Sequence, residues 1–430
     1  MSKNQPASSK SARVNRPERY QVEMQLMALD QMLPRDHRAR AVWQYVELMD
    51  LEPLYRRFKS VHGNVGRNAI APEILLALWL MATIDSINSA RELARRCETD
   101  IVYMWIRGNV SVNYHTLSDF RSTNVAFFEK LLVDSVTGLL KAGLVTLESI
   151  GQDGMRVRAS AGASSFRRQP SLERLHQAAE AHVKKLREES DDDSHHGGQS
   201  SGKSAAQERA ARERTERIAE AIEQVKELHE QKEKRQKGDG EKARCSTTDP
   251  DARRMKMGDG GCRPAYNFQF ATDGDSRVIV AVDVTNSGSD RGEMAPMHQK
   301  VVDTYGVTPK EILVDTAFAT KDDVTTVEES GTKVVSTVYG AEAMKRRGND
   351  PYTRKRGDSD QYAAFRERMG TPAWQTRYQQ RPSIAEYPNA ECRNRGCRLL
   401  RVRGLERVRS VALLYASTFN FLRMMHLGAI

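Results

Sequence analysis

Two aspartates in this 430-residue chain stand where a carboxylate needs a reason. Asp153 lies in LESIGQDGMRVRASA, which alternates with period two, so Asp153, Met155 and Val157 share one face while Arg156 and Arg158 take the other. A carboxylate on the apolar face of a strand is costly unless it is paired or bound to a metal. Asp315 follows the buried-strand run Ile312, Leu313, Val314 in EILVDTAFAT. An aspartate just after an apolar run is also an ordinary turn former, so Asp315 alone has two readings. If the two strands are neighbours, their carboxylates converge at one sheet edge, and Asp315 is expected within metal-bridging distance of Asp153. Clustered carboxylates repel, but a pair of Mg2+ ions reverses that balance, because hard divalent cations prefer oxygen ligands. Two such ions about 3.5–4 Å apart activate a water or a 3′-hydroxyl and stabilise the leaving oxygen in phosphodiester cleavage or transfer. A third carboxylate is then to be sought downstream.

The elements that must position these groups can be read from periodicity. Residues 20–145 are helical in pattern. APEILLALWLMATI opens with Pro72 in a first turn and runs through Leu75, Leu76, Trp79 and Leu80. SINSARELARRCETD offers Ser86 or Ser89 as a cap, and VAFFEKLLVDSVTGLLKAGLV is amphipathic to about Gly143. With Arg91, Arg95, Arg96, Arg107 and Arg121, this region reads either as a DNA-binding or dimerisation module or as an all-α packing domain. From Leu147 the pattern turns to strands. A second unit, residues 146–169 with 245–430, is interrupted at 170–244 by a charged helical hairpin. Its apolar stripes are Leu172, Leu175, Ala179, Val183, Leu186 and then Ile218, Ile222, Val225, Leu228. SDDDSHHGGQSSGKS between them reads as a mobile loop, its Asp191 to His196 cluster a solvated one.

Beyond the hairpin, AYNFQFATD alternates, and GDS turns into RVIVAVDVTN, whose nearly continuous apolar run reads as a central strand. A helix through Met294, Met297, Val301 and Tyr305 stops at Gly306, Thr320 caps another that ends at Gly331, and KVVSTV supplies a fifth strand. The expected class is α/β, a mixed sheet flanked by helices. GDGG at 258–261 reads as a turn entering a strand rather than a phosphate loop, because no helix follows it.

Charge is concentrated. Between Lys345 and Arg409 there are 17 Lys and Arg against 7 Asp and Glu, an excess equal to the +10 of the whole chain. With Tyr352, Tyr362, Phe365, Trp374 and Tyr378 interleaved, this is either a nucleic-acid contact surface or a solvated face. Five cysteines give no disulfide framework, and Cys392 and Cys397 have no second pair at zinc spacing. No stretch approaches the ~20 apolar residues of a membrane span. Residues 1–19 read as a flexible basic tail without a secretory h-region, so a reduced, cytoplasmic setting is expected.

Within the basic region, TRYQQRPSIAEYPNAECRNRG sets Tyr378, Arg381, Glu386 and Arg393 in an order that resembles the third-carboxylate motif, Tyr-x-x-Arg…Glu…Lys/Arg, of DDE transposases from bacterial insertion sequences. IGQDGMRVRASA and ILVDTAFA resemble that family's first and second aspartate motifs. TDPDARRMKMGDGGCRPAYNFQF and IDSINSARELARR…NYHTLSDFR resemble its second strand and its N-terminal helical domain, so the resemblance spans roughly residues 25–425. It implies an RNase H-like catalytic domain in which Asp153, Asp315 and Glu386 hold two Mg2+ ions, with Mn2+ able to substitute. It further implies that Tyr378, Arg381 and Arg393 contact transposon-end DNA. The implied partners are double-stranded DNA, both element ends and target, and a second subunit in a homodimer on DNA at the bacterial nucleoid.

Two features of the motif bear on geometry. Pro382 and Pro388 flank Glu386, which excludes a long straight helix and requires a kink or a short one. Arg393 stands where many relatives carry lysine, which keeps the charge and changes its phosphate geometry. Asp249, Asp283 and Glu391 are competing acids. The functional expectation is a transposase that cuts at terminal inverted repeats and joins 3′-hydroxyls to target DNA. The alternatives are a metal-dependent nuclease of the same fold and a transposase-derived DNA-binding protein without catalysis.

Overall fold

A computed structural model of the chain describes residues 20, 26–58, 68–194 and 201–430. The tail expected over 1–19 and the centre of the expected loop, 195–200, lie outside them. The N-terminal helices are α1 (Arg38–Glu47), α2 (Glu52–Tyr55), α3 (Pro72–Ile84), α4 (Ala90–Thr99), α5 (Ile101–Arg107), α6 (Tyr114–Thr123) and α7 (Val125–Lys141). Pro72 takes the first turn of α3, where its missing N–H is harmless. Every residue of α3 except Glu73 is buried, so this helix is the hub of the others. Ser89 is the cap of α4, its hydroxyl accepting from the Glu92 N–H. The arginines here are largely engaged. Arg121 is buried 4.2 Å from the Trp79 ring centroid and donates to the Asn88 carbonyl, which makes it a packing residue. Arg95 and Arg96 both bond Glu92.

The sheet is built from β1 (Ser149–Arg158), β4 (Arg253–Lys256), β5 (Cys262–Asp273), β6 (Ile279–Thr285), β7 (Glu311–Val314) and β8 (Lys333–Val335), after a two-residue pair, β2 (Phe166–Arg167) with β3 (Cys245–Ser246). Its order is β4-β5-β1-β7-β8, with β6 also on β5. The β1/β5, β4/β5 and β5/β6 pairs are antiparallel, and β1/β7 and β7/β8 are parallel. Between these strands run α10 (Met294–Tyr305), stopped by Gly306 at φ +66°, and α11 (Lys321–Glu329), capped by Thr320. This mixed sheet flanked by helices is the expected class. Apart from the short β2–β3 pair, also not expected, the main sheet has one more strand than the five expected: β4, whose polar sequence RRMK gives little apolar signal.

RVIVAVDVTN is not central. Among the described residues β6 pairs only with β5. Its continuous apolar run reflects burial of both faces, with α10, α7 and α16 (Leu405–Leu427) all packed against it. Side chains then serve its free edge. Asn420 accepts from the Ile279 N–H and donates to its carbonyl, while Tyr305 and Lys300 donate to the Val280 and Val282 carbonyls. α16 also packs on α3, α6 and α7, so helices and sheet share one core.

The insertion is the expected charged hairpin. α8 (Gln169–Ser194) and α9 (Ser201–Arg235) lie against each other, closed at the base by Leu172, Ala221, Val225, Ala243 and Cys245. The two helices extend into the segment expected as loop, leaving only 195–200 between them. The remaining helices are α12 (Ala341–Arg346), α13 (Asp360–Met369), α14 (Pro372–Tyr378) and α15 (Tyr387–Asn394). Among the described residues no helix is long and apolar enough to cross a membrane.

Candidate active site

Register decides the relation of the two aspartates. β1 and β7 run parallel, with Gln152 opposite Val314 as their last pair. Asp153 and Asp315 are the next residues on each chain. Neighbouring strands lie about 4.8 Å apart and alternate their side chains in step, so both carboxylates leave the same face at adjacent positions. β7 ends there. The Asp315 carbonyl accepts from the Phe318 N–H and its carboxylate from the Thr316 N–H. Asp315 is therefore a turn former as well as a member of the pair.

Asp153 shares its face with Met155 and Val157, both fully buried, and pairs across β5 with Phe270. Asn389 of α15 donates to its Oδ2 at 2.9 Å. Burial pushes the Asp153 carboxyl up to about 6, against the pull of the Asn389 hydrogen bond and of the Arg381 charge.

Glu386 arrives by a different route. Between α14 and α15 the chain makes a π-turn, Pro382–Glu386, the kink that two prolines require. This turn lies directly on β1. A Cβ at Gly151 would come 2.6 Å from Ile384 Cγ2 and 3.2 Å from Ala385 Cβ, so only glycine admits it. Glu386 accepts from Arg381 Nη2 at 2.5 Å, and the Arg381 guanidinium lies 5.8 Å from the Tyr378 ring centroid. Burial disfavours the Arg381 charge, but Tyr378 and the carboxylates of Asp153, Glu386 and Asp315 outweigh it and hold the group protonated more firmly than usual. One guanidinium thus sits within the field of all three acids. Arg393, in the last turn of α15, is exposed.

The competing acids lie elsewhere. Asp249 is buried and held by the Tyr266 hydroxyl and the Gly404 N–H. Asp283 faces the far side of the sheet, opposite Gln269 and hence Gly154. Glu391 pairs with Arg395. Asn389 was not singled out by sequence reasoning, yet its position three residues after Glu386 puts it on the same helical face.

As the side chains stand, no three His, Cys, Asp or Glu groups among the described residues are gathered as a metal site. Arg381 supplies the counter-charge instead. The donor set nevertheless suits a hard cation. It is all oxygen, Asp153 is destabilised as an anion without one, and Asn389 Oδ1 is buried with no hydrogen-bond partner.

Residues 27–123 match the family model described as Transposase domain (DUF772), and residues 230–421 match that described as Transposase DDE domain. Asp315 and Glu386 fall within the second match, and Asp153 within neither. No curated protein and no solved structure matches the chain.

Proposed function

We propose, on the matches to a transposase domain over residues 27–123 and to a transposase DDE domain over residues 230–421, that the chain is a DDE transposase of an insertion sequence: it binds the terminal inverted repeats of an element, hydrolyses phosphodiester bonds there and joins the freed 3′-hydroxyls to target DNA. Asp153, Asp315 and Glu386 would hold two Mg2+ ions, with Mn2+ able to replace them. When bound, such ions raise the acidity of a water or 3′-hydroxyl and neutralise the leaving oxygen. The observation that carries this reading is the side-by-side register of Asp153 and Asp315, with the turn of Glu386 seated on Gly151.

The chain's own residues do the positioning. Asn389 orients the Asp153 carboxylate through its amide N–H. Glu386 is half exposed, so its side chain can turn from Arg381 toward the aspartates. That turn frees the Arg381 guanidinium for a DNA phosphate, which it grips with two parallel N–H groups. Tyr378 braces Arg381 from behind, and exposed Arg393 takes a second phosphate. Two subunits would hold the two ends together. The decisive assay is strand transfer on duplex carrying the repeats that bracket the reading frame. Asp315→Asn is expected to abolish joining in Mg2+, and undiminished joining by that variant overturns the mechanism. Cleavage without joining by the unaltered chain would make it a nuclease instead.

A further inference from the structure

The chemistry above leaves the insertion without a task. Between α9 and the β4–β5 hairpin lies an open cleft of about 1120 Å³, lined by seven Lys and Arg against two acids, Glu227 and Asp251. Among the described residues, the guanidinium groups of Arg168, Arg235, Arg244 and Arg254 have no hydrogen-bond or ion-pair partner, and all four residues are exposed. The outer length of the same hairpin is different. There Arg187 and Arg212 share Glu208, Lys184 meets Glu188, Lys185 meets Glu189, and Arg217 meets Glu213. Along the outer helices most of the positive charge is paired, Arg209 and Arg214 apart, whereas four arginines gathered in one cleft are left unmatched where the hairpin faces the sheet.

The cleft is also held in shape. The Gln224 side chain bonds Asp251 and Arg253, tying α9 to the approach of β4, and β2 pairs with β3 at the base. Its place relative to the acids follows from register. β4 pairs with residues 262–265 of β5, and Ala265 stands opposite Arg158, five positions along β1 from Asp153. At about 3.3 Å per residue this is roughly 17 Å. A duplex rises about 3.4 Å per base pair, so the same distance is about five base pairs.

We propose that this cleft binds the sugar-phosphate backbone of duplex DNA about half a helical turn from the phosphodiester acted on at Asp153 and Asp315. The inference rests on the transposase reading for its partner, and its test is separate from the test of that reading. Full-length chain is titrated with a 30-bp duplex of arbitrary sequence over a salt series. Changing Arg168, Arg235, Arg244 and Arg254 to Ala together is expected to weaken binding at least about tenfold near 0.1 M salt. The slope of log affinity against log salt should flatten by about 0.9 for each phosphate no longer neutralised, about 3 to 4 in all. The control removes the same charge from the outer face, Lys184→Ala, Lys185→Ala, Arg212→Ala and Arg217→Ala, and is expected to leave the slope unchanged. An unchanged slope in the cleft variant, or an equal loss in both variants, overturns the proposal. Should the fourfold variant not fold, Arg235→Ala and Arg254→Ala singly read the same slope. Joining by Asp315→Asn reports on the transposase mechanism alone, whatever the slope does.

Discussion

The two aspartates and the glutamate are positioned by different physics. Asp153 and Asp315 each follow the last pair of two parallel strands, so backbone hydrogen bonds set their relative position, and a register slip between the strands would undo it. Glu386 rides on a π-turn between two prolines, and its side chain is half exposed and bonded to an arginine. The strand-borne half of the site is assembled by folding. In the proposed mechanism the turn-borne half would be completed by a rotation of Glu386 away from Arg381 toward the aspartates. Such a division would let the fold form first and leave the third carboxylate conditional.

Substitutions test this division at graded strength. Asp153→Asn should abolish joining, a loss of about 10³-fold or more, given the several kcal/mol that metal-stabilised charge supplies. Glu386→Gln should abolish it equally but bind end DNA no more weakly than the unaltered chain, because Arg381 is released; weaker binding would break the comparison. Gly151→Ala attacks the seam between the halves. Its methyl meets buried Ile384, so the turn must shift, with stability falling by about 1–3 kcal/mol on chemical denaturation. Single-turnover joining should fall with it while DNA affinity holds. Asn389→Ala should lower joining about tenfold, the usual effect of losing a ligand's orienting partner.

The smallest effect is thermodynamic. The Asp153 carboxyl titrates at about 6 when folded and near 3.8 when free, so its anion disfavours the metal-free fold by at most about 3 kcal/mol. That acid contributes most to stability below pH 4 and loses the contribution as pH rises toward 6. Asp153→Asn should therefore raise the metal-free melting temperature by a few degrees at pH 7.5. By pH 4 the gain should vanish. Melts at the two pH values, in chelator, check it.

Much of this was legible from the chain, and the failures have physical causes. Asp153 declares itself because alternation forces it onto an apolar face, and the prolines at 382 and 388 foretell a kink. Hydrophobic continuity misleads at RVIVAVDVTN because burial on two faces and a central place in the sheet leave the same pattern. β4 is hidden because its residues are polar, and its pairing comes from the hairpin with β5. Arg121 reads as a surface charge until Trp79, forty-two residues earlier, is brought beneath it. The position of Arg381 among three acids depends on contacts with residues as far as two hundred positions away and more.

The long helix α16 carries a consequence for synthesis. It covers α3, α6, α7 and β6 together, elements first made more than a hundred residues before it. Those surfaces remain uncovered on the ribosome until residues 405–427 emerge. A chain cut short before α16 presents apolar helix and strand faces to proteases and chaperones. A nonsense change late in the reading frame, well past Glu386, thus removes the protein as surely as one that strikes the acids.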